Sequence, residues 1–104
     1  MDNIMRTLNF LGIATKAGCV VTGDDSCMRM LRKGKISLLI LAGDTQFNTR
    51  DRFQRACIAN NVKCIELGDR YELGRFTGKE IRTVVGIMDD SFSKRLLEMA
   101  TGVE

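Results

Sequence analysis

The sequence predicts an α/β domain in which helices cover both faces of a sheet of about four strands, not all of them parallel. Apolar runs of strand length alternate along the chain with helix-length segments. One run, Ile36-Ser37-Leu38-Leu39-Ile40-Leu41-Ala42, is apolar at all but one position, as a strand buried on both faces must be. The 104 residues give room for one compact domain spanning 1–104. A chain of this size buries roughly two-thirds of its unfolded surface. With 44% apolar residues and a net charge of +3, it folds without help from metal or disulfide.

The elements follow in order. Asp2 caps a first helix in which Ile4, Leu8, Leu11 and Thr15 share a face, and Gly18 stops it. Cys19-Val20-Val21 makes a brief strand. Thr22-Gly23-Asp24-Asp25 has the form of a capping box and opens a helix through 26–33 that ends at Gly34. Cys27, Met30 and Leu31 form its apolar face, and its cations gather at the C-terminal end, where the helix dipole favours them. After the buried strand, Gly43-Asp44-Thr45 breaks the run. Asn48, with Asp51 three residues on, is the expected N-cap of a helix from 49 to about 60. That helix turns Phe53, Ala56 and Cys57 to one side and Arg50, Arg52 and Arg55 to the other. Residues 62–67 make a second sheet strand. Asp69 caps a short helix over 70–77, with Glu72 at the capping-box position and Gly78 at its end. Residues 82–88 form another strand, and Asp89 or Asp90 caps a last helix with a stripe of Phe92, Leu96, Leu97 and Ala100.

Composition excludes several functions. The chain has no His, so Ser–His and Cys–His catalysis within one chain is ruled out and the commonest metal ligand is missing. Cys19, Cys27, Cys57 and Cys64 include no CxxC pair and read as reduced thiols serving as small core groups. The expectation is therefore a protein that is not an enzyme and uses no metal or cofactor. No apolar run approaches the roughly 20 residues of a membrane span. The N-terminus lacks a basic head followed by an apolar stretch, which leaves the cytoplasm as the expected location.

Charge is unevenly placed. Cations outnumber anions up to Met88 and are outnumbered from Asp89 onward. They form a group of Arg29, Arg32, Lys33 and Lys35, a group of Arg50, Arg52 and Arg55, and a looser set of Arg70, Arg75, Lys79 and Arg82. Such groups are either solvated helix faces or contacts to phosphate, which make binding salt-dependent. Phe53, Phe76 and Tyr71 are scattered, which argues against a platform that stacks single strands and leaves shape recognition of folded RNA open.

Several short motifs then stand in register. They are Leu11-Gly12-Ile13-Ala14-Thr15-Lys16-Ala17-Gly18 followed by Val21-Thr22-Gly23; Gly34-Lys35-Ile36-Ser37-Leu38-Leu39-Ile40-Leu41-Ala42; Asn61-Val62; and Leu73-Gly74-Arg75-Phe76-Thr77-Gly78-Lys79. In this order and spacing they resemble the ribosomal protein L7Ae/L30e family, and within it a small bacterial YlxQ-like branch. The likeness runs from Ile4 to Leu97. It implies a three-layer α-β-α sandwich around a four-stranded mixed sheet, and a monomeric, non-catalytic protein that binds kink-turns or related folded RNA in ribosome or translation. By position, the implied RNA surface is Gly23, Asp24, Asp25, Ser26 and Arg29 with Arg32 and Lys33 beyond; then Gly43, Asp44 and Thr45; then Lys79, Glu80, Ile81 and Arg82.

The chain departs from the family pattern at one place. Archaeal and eukaryotic members that hold kink-turns tightly carry Asn-Glu and a basic residue three positions after the Glu. Here those positions are Asp25, Ser26 and Arg29. The amide that both donates and accepts is replaced by a carboxylate that only accepts, and the Glu by a neutral hydroxyl. That change motivates an alternative: a protein-interaction module of the same fold, with an exposed apolar face involving Phe47 or Phe76 in place of RNA recognition.

Overall fold

The computed structural model of the chain describes residues 2–102. Helices and strands alternate as α1 (Asn3–Lys16), β1 (Val20–Thr22), α2 (Asp24–Arg32), β2 (Leu38–Leu41), α3 (Phe47–Ala59), β3 (Lys63–Glu66), α4 (Arg70–Phe76), β4 (Val84–Ile87) and α5 (Asp90–Thr101). The sheet order is β1-β4-β2-β3. β2 and β3 are parallel, whereas β4 is antiparallel to both β1 and β2.

β2 is buried at every position because it is central and covered on both sides. Its side chains alternate between the faces of the sheet. Leu38 and Ile40 join Leu8 and Leu11 of α1, Leu73 of α4, Leu96 of α5 and Val85 and Ile87 of β4. Leu39 and Leu41 join Cys27, Met28 and Leu31 of α2, Phe53 and Cys57 of α3 and Val84 of β4. The layers are therefore α1, α4 and α5 on one face and α2 and α3 on the other. Each fully buried Leu or Phe contributes about 1.5–3 kcal/mol by leaving water, so these two clusters anchor the helices.

Local details differ from the sequence reading in four places. Ile4 is 53% exposed, and α1 turns Thr7, Leu8, Leu11 and Ala14 inward instead. Thr7 tolerates burial because its hydroxyl donates to the Asn3 carbonyl at 2.7 Å. The N-cap of α2 is Gly23 and not Thr22, which is the last residue of β1. Thr22 Oγ1 instead accepts from Arg82 Nε at 3.1 Å. Helix α3 begins at Phe47 behind Gln46, two residues ahead of the expected start. In α5, Ser93, Leu96 and Met99 are buried, Phe92 and Leu97 pack at the margin, and Ser93 Oγ meets Ser37 Oγ at 2.6 Å.

All four cysteines are free; Cys27 and Cys57 are buried, and Cys19 and Cys64 are half-buried. Desolvation pushes the Cys27 thiol up to about 12. The Cys57 thiol is pushed up by its hydrogen bond with Cys64 and by burial. Among the described residues no group of His, Cys, Asp and Glu is arranged to hold a metal ion. No described helix is long and apolar enough to cross a membrane.

Candidate functional site

The register of the sheet gathers the predicted site loops at one end. Leu41 of β2 stands opposite Glu66 of β3 and Val84 of β4, and Thr22 of β1 opposite Val85. The C-terminal ends of β1, β2 and β3 therefore lie beside the start of β4, and α2, α3 and α4 all begin there.

Hydrogen bonds close these loops into a ring. The Gly23 N–H donates to the Val84 carbonyl at 3.0 Å, and the Ala42 N–H to the Thr83 carbonyl at 2.9 Å. The Gly43 N–H donates to Gly68 at 2.8 Å, and the Arg82 N–H to Arg70 at 3.0 Å. Arg70 then reaches the β2–α3 loop: its N–H and its Nε each donate to the Asp44 carboxylate at 3.0 Å, and its Nη2 donates to the Asp44 carbonyl at 2.7 Å. Desolvation raises the Asp44 carboxyl, but the hydrogen bonds and charge of Arg70 outweigh it and hold the group below its ordinary value.

The three helix starts in this ring are finished differently. At α4, the Asp69 side chain accepts from the Tyr71 and Glu72 amides, Asp44 accepts from the Arg70 amide, and Glu72 returns the capping-box bond to the Asp69 N–H. At α2 the cap is a glycine with no side chain, and the first helical hydrogen bond is Cys27 N–H to Gly23 O. The amides of Asp24, Asp25 and Ser26 have no protein acceptor among the described residues. At α3, Gln46 makes no side-chain cap, and the amides of Phe47, Asn48 and Thr49 are likewise open. The helices that start elsewhere, α1 and α5, are capped by Asp2 and Asp89. Uncapped amides with the positive end of a helix dipole make a place for an anion.

The predicted site residues divide by what they touch. Gly23 has φ 96° and ψ 154°, a region open in practice only to glycine, while the space where its Cβ would stand is empty. Asp24 and Asp25 are exposed in the first turn of α2, where carboxylates also stabilise the helix itself. Gly43 is exposed, but Thr45 is buried and its hydroxyl donates to the Ala42 carbonyl at 2.6 Å, so its side chain serves the loop. Asp44 is the clasp to Arg70 and makes no bond to Lys79. Arg82 is half-buried against Thr22. Lys79, Glu80 and Ile81 are exposed. Their loop folds back along α4, with the Lys79 N–H donating to Gly74 O at 2.7 Å. A Cβ on Gly74 would stand 2.3 Å from the Glu80 carbonyl, so glycine is what lets the loop lie there. The ring thus joins Gly23, Asp44 and Arg82, and Lys79 is tied to Gly74, four residues past Arg70 and so about 6 Å farther along the axis of α4.

The arginines of α3 do three different things. Arg50 turns in to donate to the Gly43 and Thr45 carbonyls at 3.1 and 3.4 Å and pairs with Glu66 of β3. Arg55 pairs with Asp51 one turn away at 2.9 Å. Arg52 faces α2. There, Arg29, Arg32 and Lys33 of α2, with Asp25 and Met28, line a groove of about 450 Å³ whose opposite wall is Arg52. The structural roles of Arg50 and Arg70 lay beyond the sequence reading, because their partners come from other elements.

The layers, the strand order and the ring of loops define a known class: the chain belongs to the ribosomal protein L7Ae/L30e/S12e/Gadd45 family, whose model matches residues 5–97. It is 30% identical over 100 residues to RNA-binding protein YlxQ of Enterococcus faecium, covering 96% of each chain. It is 32% identical over 95 residues to RNA-binding protein YlxQ of Bacillus subtilis, covering 91% of this chain and 95% of that one. Among solved structures, a protein of unknown function from Bacillus halodurans superposes with a TM-score of 0.88 at 29% identity, over 91% of this chain and 96% of the other.

Proposed function

We propose that this chain is a non-catalytic RNA-binding protein of the translation machinery. It receives a kink-turn or related folded RNA on the loop end of its sheet. The observation that carries this reading is the contrast in capping: the helices with open amides, α2 and α3, both start in the ring that holds Gly23 and Asp44. Two relatives whose names say they bind RNA match nearly the whole chain.

On this reading the amides of Asp24, Asp25 and Ser26 face the RNA strand, and Gly23 lets the backbone approach it without a Cβ. Arg29 lies one turn past Asp25, so a donor and an acceptor share one helical face and match the mixed edge of a base. Arg32 and Lys33 continue that face, and Gly43 and Ile81 line the rim. Lys79 supplies phosphate contact from the far end of α4, with Glu80 beside it. Asp44, Thr45 and Arg82 hold the rim in shape. The protein works as a cytoplasmic monomer. Of the two aromatics in the protein-interaction alternative, Phe76 packs against the core, whereas Phe47 is 75% exposed.

The test is cross-linking and sequencing of RNA bound in the source cell, repeated with an Arg29→Glu, Lys79→Glu double variant. The reading expects a restricted set of folded RNAs that the double variant loses. An identical RNA profile for both proteins contradicts it.

A further inference from the structure

Resting on the RNA reading, we infer that the α2 face carrying Arg29, Arg32 and Lys33 is one wall of a groove shared with α3, a track for about three consecutive phosphates of the strand that leaves the loop end. Arg52 closes this track from α3.

Four cations from two helices line this groove against one carboxylate, Asp25. Arg29, Arg32 and Lys33 have no ion-pair partner among the described residues. The helix dipole explains cations in the last turn of α2. It does not explain Arg52, which comes from the first half of α3 and stands across the groove from three like charges. Asp51, the carboxylate next to it in sequence, is paired with Arg55; Arg52 pairs with Asp24 at 3.9 Å between exposed side chains and lies 5.1 Å over the Phe53 ring, which leaves its outer face to the groove. Convergence of like charges is unfavourable unless an anion enters.

The shape suits a backbone. Arg32 and Lys33 lie three and four residues past Arg29, so both neighbour it one turn on, to either side of the groove wall. From Asp25 to Lys33 the helix rises about 12 Å, the span of about three nucleotides at 3.4 Å each along a strand. Guanidinium forks take phosphate oxygens in pairs, and buried Met28 gives the lining apolar surface for a ribose. The groove begins where α2 begins, in the ring of loops, so a strand seated on the open amides runs into it without turning.

The probe is a fluorescein-labelled RNA hairpin with an internal loop between two duplex arms, titrated at a series of salt concentrations. Lys33→Gln and Arg52→Gln are each expected to reduce the slope of log K against log salt by about 0.7–0.9. Lys94→Gln, on α5 across the sheet, is expected to leave it unchanged. Trimming the duplex arm to its first base pairs removes the difference between wild type and Arg52→Gln. Saturable binding in which Arg52→Gln keeps the wild-type slope overturns the track and leaves the RNA reading standing. An equal loss for Lys94→Gln also overturns it, as general attraction to a polyanion. A wild type that shows no saturable binding overturns the RNA reading and the track with it.

Discussion

The starts of α2 and α4 lie at the same end of the same sheet, and the first-turn amides of each lack a partner within their own helix. α4 is closed by its own chain: Asp69, Asp44 and Glu72 engage its amides and its cap. α2 starts behind Gly23, which has no side chain to offer, and its amides face outward. A glycine N-cap gives up roughly a few tenths of a kcal/mol against Asp, so α2 forgoes a little stability that α4 collects a short distance away. In this molecule, the helix left without a side-chain cap carries carboxylates, Asp24 and Asp25, in its first turn and its cations, Arg29 and Arg32, in its last.

Changes at the two starts erase or deepen the contrast. The largest effect is expected from Gly23→Ala. Its Cβ meets open space, so the cost is backbone strain alone, about 2 kcal/mol at φ 96° and ψ 154°. Urea denaturation reads it as a lower midpoint at unchanged slope, and RNA binding falls as the α2 start shifts. An unchanged midpoint shows that this backbone is not held. Next is Asp69→Ala, which opens α4 and costs about 1 kcal/mol. Hydrogen exchange is expected to quicken at Tyr71 and Glu72 and to stay unchanged in α2.

Closing a start is expected to do the reverse. Gln46 has φ −64° and ψ 150°, the extended conformation of an N-cap, so Gln46→Asp gives α3 a side-chain cap and raises stability by about 0.5–1 kcal/mol. The same carboxylate meets the incoming phosphate, so RNA affinity is expected to drop while the protein becomes more stable. Tighter binding by this variant contradicts an anion site at α3. The smallest effect concerns the Asp44–Arg70 clasp. The folded-state pKa of Asp44 lies below its unfolded value, so its contribution is present above that unfolded value, near 4, and fades as pH falls through the folded one. The stability difference between wild type and Asp44→Asn is therefore expected to shrink as pH is lowered below about 4. A difference that grows on acidification contradicts it.

What sequence revealed and what it hid follow from the range of the interactions. The strand around Leu38–Leu41 was legible because burial on both faces needs an unbroken apolar run. Asp2 and Asp69 were legible as caps, and Asp89 as one of two candidates beside Asp90, because a cap acts within three residues. Thr22 had the right spacing to an acid but is occupied as the end of β1 and as a partner of Arg82, sixty positions away. Asn48 is an N-cap type, yet the turn closed by Thr45 and Ala42 lets the helix start earlier, at Phe47. Arg50, Arg52 and Arg55 read as one face, either solvated or in contact with phosphate. At 3.6 residues per turn, however, Arg50 and Arg52 lie nearly opposite each other, and the structure sends one inward and one to the groove. The aromatic residues looked scattered, but Phe47 and Tyr71 are both exposed in first turns at the loop end, because parallel β2 and β3 deliver α3 and α4 to the same place. The candidate site was drawn from the ordered motifs, since no local pattern shows that Gly23, Asp44 and Arg82 meet.

The account turns on open amides at α2 and α3 receiving an anionic strand. An amide chemical-shift titration of the isotope-labelled protein with the hairpin RNA reads this residue by residue. The expected result is large shifts at Asp24, Asp25, Ser26 and at Phe47 to Thr49, with Tyr71 and Glu72 little changed behind their cap. Shifts confined to α1 and α5, or to the capped start of α4, contradict it.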